Sequence, residues 1–137
     1  MNLSAKIHDR WEASAALHAA LPVSRFFTGR IPQDTANPCA RLYLPGSVSG
    51  KRSDKAAERT VQVRFIHWVD EDAFGTGQTI QGLIENAFDN YDVALDDSTL
   101  VNLRHDNSFH VQDEGATSKE FQFVTQFTAT VQKDRTL

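Results

Sequence analysis

The chain has 137 residues, of which 40% are hydrophobic and 23% are charged, and its formal net charge at pH 7 is −4. These values are typical of one globular domain with its own core, and they exclude wholesale disorder. Apolar runs fall well short of the roughly 18 residues that a membrane-spanning helix needs. The single cysteine, Cys39, permits no internal disulfide, so we expect a reducing, cytoplasmic environment. Residues 1–21 mix charged side chains into an amphipathic pattern, which argues against a signal peptide.

Charge is distributed unevenly along the chain. Residues 1–69 carry ten Lys or Arg and five Asp or Glu, whereas residues 70–114 carry eleven acidic residues and one basic residue, Arg104. Two interpretations follow from this asymmetry. The two regions either neutralise each other or face solvent within one fold, or a basic face of one copy meets an acidic face of the next. Head-to-tail contacts of the second kind build rings or filaments.

The first 44 residues predict a helix, a short extended segment and a strand. Between residues 2 and 21, apolar residues recur at three- and four-residue steps, with an interruption at Ser14. Residues 25–30 are expected to be extended, and residues 31–38 to form a polar loop bounded by prolines. Side chains alternate between residues 39 and 44 in the way typical of a strand. The apolar helix positions are Leu3, Ile7, Trp11, Leu17 and Leu21.

Residues 45–58 consist mainly of glycine, serine, proline and charged residues, which predicts a polar loop. Because this segment joins two predicted strands, we expect it to form a hairpin with an extended arm. Loops of this length are often functional. Its positive charge, carried by Lys51, Arg52 and Lys55 among others, makes it a candidate contact for an acidic protein surface.

The centre of the chain reads as a strand followed by an amphipathic helix. Apolar residues at positions 61, 63 and 65 alternate with polar ones, but Ile66 and Trp68 then share the opposite face, which indicates a bulge or a strand end covered on both sides. Residues at helical spacing then give one apolar stripe, which must lie on the sheet. That stripe consists of Ile80, Leu83, Ile84, Ala87 and Phe88. Residues 89–99 are predicted to be an acidic connection.

Two long strands are predicted to complete the chain. In the first, Val101, Leu103, Phe109 and Val111 share odd parity and are expected on one face. The apolar positions of the second are Phe121, Phe123, Phe127 and Val131. Residues 1–137 are therefore predicted to form a single α+β domain, with an antiparallel or mixed sheet of 4–5 strands and two helices packed on one face.

No motif predicts a catalytic residue, a cofactor site or a metal site. The glycines before the second helix lack the third glycine of a dinucleotide fingerprint, because Ile80 stands in its place. Val48 occupies the serine position of a nucleophile elbow. His105 and His110 differ in parity, so they are expected on opposite faces of one strand unless a break lies between them. The acidic composition also disfavours a protein that reads nucleic acid by sequence.

The order of elements resembles the tail terminator and tail completion proteins of long-tailed bacteriophages, including the head–tail joining family of prophages and gene-transfer agents. Four stretches carry this resemblance over nearly the whole chain. They are Phe26-Phe27-Thr28-Gly29-Arg30 after the first helix, Pro38-Cys39-Ala40-Arg41-Leu42-Tyr43-Leu44, Val61-Gln62-Val63-Arg64-Phe65 before the helix at 80–88, and the closing strand at 121–131.

The resemblance implies a structural protein of the virion tail, assembled in the bacterial host cytoplasm, that is not an enzyme and needs no cofactor. Members of this family form a ring, typically a homo-hexamer, that caps the tail tube and ends its polymerisation. The partners implied are the tail tube protein and a head completion or connector protein, without a membrane.

Charge provides a hypothesis for the contact between subunits of such a ring. The basic edge would consist of Arg30, Lys51, Arg52 and Lys55. The complementary acidic edge would consist of Asp70, Glu71, Asp72, Asp96 and Asp97. No family motif assigns these roles, and the strongly acidic segment 70–114 is not a feature of the family in general.

Two alternatives stay open at this stage. The first is a small-molecule-binding or enzymatic α+β domain with a pocket between the sheet and the helices, lined by aromatic residues such as Trp68 and Phe88. The second is another phage or secretion-tube component, such as a tube or baseplate subunit. A deep pocket with convergent polar groups would favour the first alternative, whereas a flat, charged edge and a protruding hairpin would favour the ring.

Overall fold

The computed structural model describes residues 3–32, 35–44, 47–52, 56–95, 99–113 and 120–134. Helices and strands follow one another in the α+β class that the sequence predicts, and no helix among these residues is long and apolar enough to cross a membrane. The α-helices are α1 (Leu3–Ala13), α2 (Ala15–Ala20) and α3 (Phe74–Phe88). The strands are β1 (Phe26–Thr28), β2 (Cys39–Tyr43), β3 (Ser47–Arg52), β4 (Ala56–Asp70), β5 (Tyr91–Ala94), β6 (Thr99–Asp113) and β7 (Glu120–Asp134).

The described strands form one mixed, seven-stranded sheet in the order β1-β2-β4-β7-β6-β5, with β3 paired to β4 beside β2. Only the short β1–β2 pair is parallel. The prediction of 4–5 strands was therefore too low. Strand β3 lies within the segment predicted as a loop, and β5 within the predicted acidic connection. Strand β3 has one apolar residue, Val48, and β5 is only four residues long, so the hydrophobic alternation that signals a strand is weak in β3 and short in β5.

Strand β4 is the centre of the sheet. It pairs with β7 along all of its length, from Ala56 opposite Asp134 to Asp70 opposite Glu120. Its other edge is shared, because β2 pairs with residues 64–68 of β4 and β3 pairs with the residues nearer its start. The β3–β4 hairpin therefore extends the sheet along the strand direction past the end of β2. The start of β6 and the end of β7 lie beside it in the same rows.

The predicted first helix is divided in two at Ser14. The backbone of Ser14 is extended, with φ −84° and ψ 93°, and its hydroxyl donates a hydrogen bond to the carbonyl of Arg10 at 2.9 Å. Such local bonds from serine compete with a continuous helix. The two helices stay together because the indole of Trp11 donates to the carbonyl of Leu21 at 2.8 Å.

Helices α1 and α3 pack on one face of the sheet around Phe65, and α2 packs against both of them and adds Leu17 to the same core. The ring of Phe65 is fully buried and lies 4.7 Å from Phe88 of α3, 5.5 Å from Phe127 of β7 and 6.2 Å from Trp11 of α1, measured between ring centroids. Trp11 stacks in turn on Phe26 at 4.1 Å. Aromatic pairs at these separations stabilise a fold beyond the area that they bury.

Helix α3 lies close against the sheet at Gly77. A Cβ atom at this position would lie 2.2 Å from Cε1 of Phe123, so only glycine fits without displacing that ring. The carbonyl of Gly77 accepts a hydrogen bond from Nε2 of His67 at 2.9 Å, and the imidazole stacks on Phe123 with ring centroids 5.0 Å apart. Burial lowers the pKa of His67 to about 4, although the hydrogen bond to Gly77 acts in the opposite direction.

A β-bulge in β6 changes which face its side chains occupy. His105 pairs with Phe127 and Asn107 with Gln126, so Asp106 is the extra residue. The expected common face of the apolar residues of β6 was therefore wrong. Val101 and Leu103 are buried under the helices, whereas Phe109 and Val111 lie on the helix-free face, 42% and 51% exposed. The bulge also places His105 and His110 on the same face, contrary to the prediction.

Candidate assembly surfaces

The predicted acidic residues near the middle of the chain lie at one end of β4. Asp70 is the last residue of the strand, and Glu71 and Asp72 form the 3-10 turn that follows, with all three exposed. The amide of Asn37 donates to Asp70 at 2.9 Å and to Glu120, on the paired strand, at 2.7 Å. A neutral amide thus lies between two carboxylates that would otherwise repel each other. Among the described residues, no side-chain hydrogen bond or ion pair of Glu71 or Asp72 is seen.

Cys39 lies next to this amide. Its thiol donates to Oδ1 of Asn37 at 3.5 Å, and burial, reinforced by the nearby carboxylate of Glu120, raises the pKa of the thiol. A thiol that stays protonated at neutral pH is a poor nucleophile. The surroundings of Cys39 therefore indicate a structural role in holding Asn37 against the end of the sheet.

The predicted basic residues are divided between two places. Lys51 and Arg52 belong to β3, where Arg52 pairs with Ala57, and Lys55 lies outside the described residues. Arg30 is exposed and follows Gly29, whose positive φ of 84° ends β1 at the outer edge of the sheet. Arg30 thus lies beside the β1–β2 edge and not in the hairpin with the others.

Strand β4 separates the basic hairpin from the acidic residues 70–72. Asp70 follows Ala57, which pairs with Arg52, by thirteen residue steps along the strand. At roughly 3.3 Å per residue, the two ends are about 43 Å apart. Charges so far apart are screened from each other at physiological salt, so they do not neutralise each other within one chain.

The predicted acidic residues Asp96 and Asp97 lie outside the described residues. Their neighbours Leu95 and Thr99 are joined by a backbone hydrogen bond of 2.8 Å, and Thr99 lies in the same row of the sheet as Ala57. The described residues on either side of the β5–β6 connection therefore lie at the hairpin end of the sheet.

A second surface, which the sequence interpretation missed, is the helix-free face of the sheet. Its exposed apolar residues near the acidic end come from β6 and stand in the same rows as apolar residues of β7 and β4. We call this group the apolar band: Ile66, Trp68, Phe109, Val111 and Val124. Recognition of the bulge at Asp106 would have been needed to place Phe109 and Val111 there.

Two arginines flank the apolar band. The guanidinium carbon of Arg41 lies 4.9 Å from the ring centroid of Tyr43, and that of Arg64 lies 5.8 Å from it. Arg64 also donates to Gln126 at 3.3 Å. Within the described part of the chain, Nε of each arginine is buried without a hydrogen-bond partner. These arginines are oriented by a tyrosine and are not neutralised by a described carboxylate.

The sequence matches the family described as tail completion protein gp17 over residues 5–132. The chain belongs to this family. No curated protein matches the sequence. A chain in the structure of the virion of a native gene transfer agent particle has the same fold, with a TM-score of 0.73 over 96% of this chain and 95% of that chain, at 19% sequence identity.

Family membership confirms the predicted resemblance and identifies a structural component of the virion tail. The fold comparison is consistent with that placement, since at 19% identity it shows shared architecture alone. The charged ends of β4 and the apolar band are therefore candidate contacts with other tail proteins.

The alternative of a pocket between sheet and helices is not supported by the positions of its aromatic residues. Phe88 is fully buried against Phe65 and Phe127, whereas Trp68 lies on the opposite face of the sheet. A groove of about 530 Å³ does exist, but on the helix-free face at the hairpin end, where β5, β6 and β7 form its floor. Its polar lining includes Asp92 and Arg104.

A cluster of Glu85, Ser108 and His105 joins α3 to β6. The hydroxyl of Ser108 donates to the carboxylate of Glu85 at 2.6 Å, so Nε2 of His105 is the donor in its 2.8 Å contact with that hydroxyl. A serine nucleophile needs the opposite arrangement, with histidine accepting the hydroxyl proton. The cluster is therefore a polar bridge between helix and strand. Among the described residues, no three acidic, histidine or cysteine side chains are grouped as metal ligands.

Proposed function

We propose that this tail completion protein caps the tail tube as a homo-oligomeric ring, ends tube polymerisation and presents the surface to which the head is joined. Membership of the tail completion family supports a structural role at this position in the virion. The observation that carries the ring is the separation of charge along β4, with a basic hairpin at one end and exposed carboxylates about 43 Å away at the other.

Charges that cannot meet within one chain are available to a second chain. In a ring, every subunit offers both of its ends to neighbours, so a heterologous contact between Lys51, Arg52 or Lys55 and an acidic group can repeat until the ring closes. Arg30, Asp70, Glu71, Asp72, Asp96 and Asp97 complete the proposed set of contact residues. Six subunits are expected, as is typical of such rings.

The apolar band is the surface that we assign to a second tail or head protein. It includes the exposed side chains of Phe109 and Val111, and it is flanked by two arginines that no described carboxylate neutralises, Arg41 and Arg64. An apolar centre with arginine beside it is the composition typical of residues that dominate protein–protein contacts. The tail tube protein and a head completion or connector protein are the candidate partners.

The test is a tube-assembly reaction with purified tube protein, with and without this protein, in which tube length and the mass of the capping oligomer are measured. We expect wild-type protein to arrest elongation and to form a ring whose stability falls as salt rises. The double variant Lys51→Glu/Arg52→Glu should assemble at least tenfold more weakly at low salt.

The matched control introduces the opposite reversal, Glu71→Lys/Asp72→Lys, into a second sample. If the basic hairpin meets this acidic turn, a mixture of the two variants should recover assembly that neither shows alone. Tubes that elongate equally with and without the wild-type protein would contradict the proposed function. Normal assembly by the hairpin variant at low salt would contradict only the assigned charges.

A further inference from the structure

Two strands at the hairpin end of the sheet have an unpaired edge. Strand β5 pairs with β6 on one side and β3 pairs with β4 on one side, and among the described strands nothing pairs with the other side of either. Exposed strand edges present free backbone donors and acceptors to other chains. A protein that carries two such edges either protects them or uses them for assembly.

The two free edges lie in the same rows of the sheet. Tyr91 of β5 pairs with Leu103, Leu103 with Ala129, Ala129 with Val61, and Val61 with Ser47 of β3. Because each neighbouring pair in this row is antiparallel, β3 and β5 run in the same direction. A copy placed beside another in the same orientation thus brings β3 of one against β5 of the next, as a parallel pair.

The backbone of β5 has donors that point away from its own sheet. The amide of Leu95 donates to the carbonyl of Thr99 at 2.8 Å, which directs it toward β6. Amides alternate in direction along a strand, so those of Val93 and Tyr91 also point to β6, whereas those of Asp92 and Ala94 point outward. Asp92 and Ala94 are both exposed.

Charge favours one occupant for this edge. Strand β5 contains Asp92 and follows Asp89, whereas β3 ends in Lys51 and Arg52. Opposite charges on neighbouring strands stabilise their pairing, and like charges oppose it, so charge disfavours pairing β5 with a second β5. The opposite charge and the matched rows of the two edges both point to β3 of a second copy.

We propose that β5 of one subunit pairs in parallel with β3 of the next, so that the sheet continues from subunit to subunit around the ring. This inference rests on the proposed ring and specifies how its subunits are joined. Ring closure in this way satisfies both free edges in every subunit, which is how closed β-structures remove exposed edges. In this pairing the basic hairpin of one subunit meets the acidic strand β5 of the next, and the carboxylates of residues 70–72 remain available for a separate contact at the other end of the sheet.

The first experiment compares Ala94→Pro with Ala94→Val. Proline removes the outward amide and places its ring on the free edge, and edge strands tolerate it because that amide has no partner within the sheet. Valine keeps the amide and suits a strand. We expect at least a tenfold loss of ring formation for Ala94→Pro, both in solution and on tube ends, and wild-type behaviour for Ala94→Val, with matching thermal unfolding as the check on folding.

The second experiment does not depend on how proline affects folding. Double variants that carry Ala94→Cys with either Ser49→Cys or Gly50→Cys are oxidised in the presence of tubes and separated under denaturing, non-reducing conditions. Paired strands bring Cα atoms within the 4.4–6.8 Å range that a disulfide needs. We expect a ladder of covalent multimers up to the ring size for one of the two pairs, and no species larger than a dimer for each single variant.

The outcomes separate this inference from the proposed function. Wild-type protein that does not arrest tubes would contradict the ring itself. Wild-type protein that arrests tubes, together with an Ala94→Pro variant that does so equally well and double variants that give no ladder, would overturn the strand pairing alone.

Discussion

The two faces of the central sheet differ in what covers them. On the face that carries the helices, alternate residues of β4 are 0–6% exposed. These residues are Val61, Val63, Phe65, His67 and Val69. On the other face, Thr60, Arg64 and Trp68 are partly exposed, Gln62 is exposed and Ile66 is 8% exposed. One strand therefore contributes both to the core and to an open surface.

This difference between the two faces indicates which substitutions should affect folding and which should affect assembly. The covered face is closed by aromatic packing around Phe65, so substitutions there should act on folding. The helix-free face keeps arginine and apolar side chains with few partners in the described chain, so substitutions there should act on assembly. Surface changes away from a packed site usually alter stability by less than about 0.5 kcal/mol.

The largest effect is expected from truncating an aromatic ring on the covered face. Phe65→Ala should lower the free energy of unfolding by about 3–5 kcal/mol, since it opens a cavity at the centre of the core. Phe109→Ala, on the other face, should cost less than about 1 kcal/mol, because Phe109 is 42% exposed. Urea unfolding of both variants provides the comparison. Similar losses would mean that the helix-free face is covered within the monomer.

The next largest effect is expected in the pH dependence of stability, because the covered face contains the buried imidazole of His67. Its pKa is about 4 in the folded state, against about 6.5 in an unfolded chain. As pH falls below 6.5 the unfolded state binds the proton first, so stability declines until pH reaches about 4 and this contribution then stays constant. The total loss is about 3 kcal/mol.

The matched variant for this prediction is His67→Gln, which keeps a side-chain donor for the carbonyl of Gly77 but does not titrate. The difference in unfolding free energy between wild type and variant should change by about 3 kcal/mol between pH 7 and pH 4. His8, whose pKa is also lowered by burial, contributes equally to both proteins and cancels. A difference that is independent of pH would contradict the buried, neutral state of His67.

Sequence alone predicted the elements with strong apolar periodicity. The stripe of α3 and the alternation in β7 correspond to the structure, because burial on one face imposes a period that can be read from residue type. Residues 2–21 were predicted as one helix, whereas the structure has two, α1 and α2. The α+β class follows from these elements. Family membership was likewise recognisable from their order.

What sequence could not predict depends on pairing between distant segments. Strand β5 has only two residues, Tyr91 and Val93, that alternate onto the covered face of the sheet, and it is held in place by antiparallel pairing with β6. The bulge at Asp106 has no glycine or proline to mark it, and its carboxylate accepts a hydrogen bond from Thr128 on the neighbouring strand. Without that bulge, Phe109 and Val111 cannot be assigned to the helix-free face.

The candidate contact residues were predicted from charge alone, which gives no position in space. Of the predicted acidic residues, Asp70, Glu71 and Asp72 lie at the end of β4 opposite the hairpin, and Asp96 and Asp97 lie outside the described residues. Charge counts along the chain cannot show at which end of the sheet a residue lies. Successive antiparallel strands run in opposite directions, so their connections alternate between the two ends.

The smallest of the three effects concerns the spacing between α3 and the sheet. Gly77→Ala should destabilise the protein by about 1–3 kcal/mol, because the new Cβ would lie 2.2 Å from Phe123. That ring cannot easily move, since it stacks on His67 and lies 5.4 Å from Phe74. Gly82→Ala is the control in the same helix. Its Cβ would meet no atom within 4 Å, so the higher helix propensity of alanine should stabilise the protein by about 0.5–1 kcal/mol.

Opposite signs for these two variants in thermal unfolding would show that contact with the sheet, and not helix propensity, requires glycine at position 77. The hydrogen bond from His67 to the carbonyl of Gly77 gives a second measurement. If alanine pushes the helix away from the sheet, this bond weakens and the pH-dependent loss of stability changes together with the unfolding free energy. Stabilisation by both alanines would instead mean that Phe123 adjusts at little cost, and that the covered face is less tightly packed than its burial indicates.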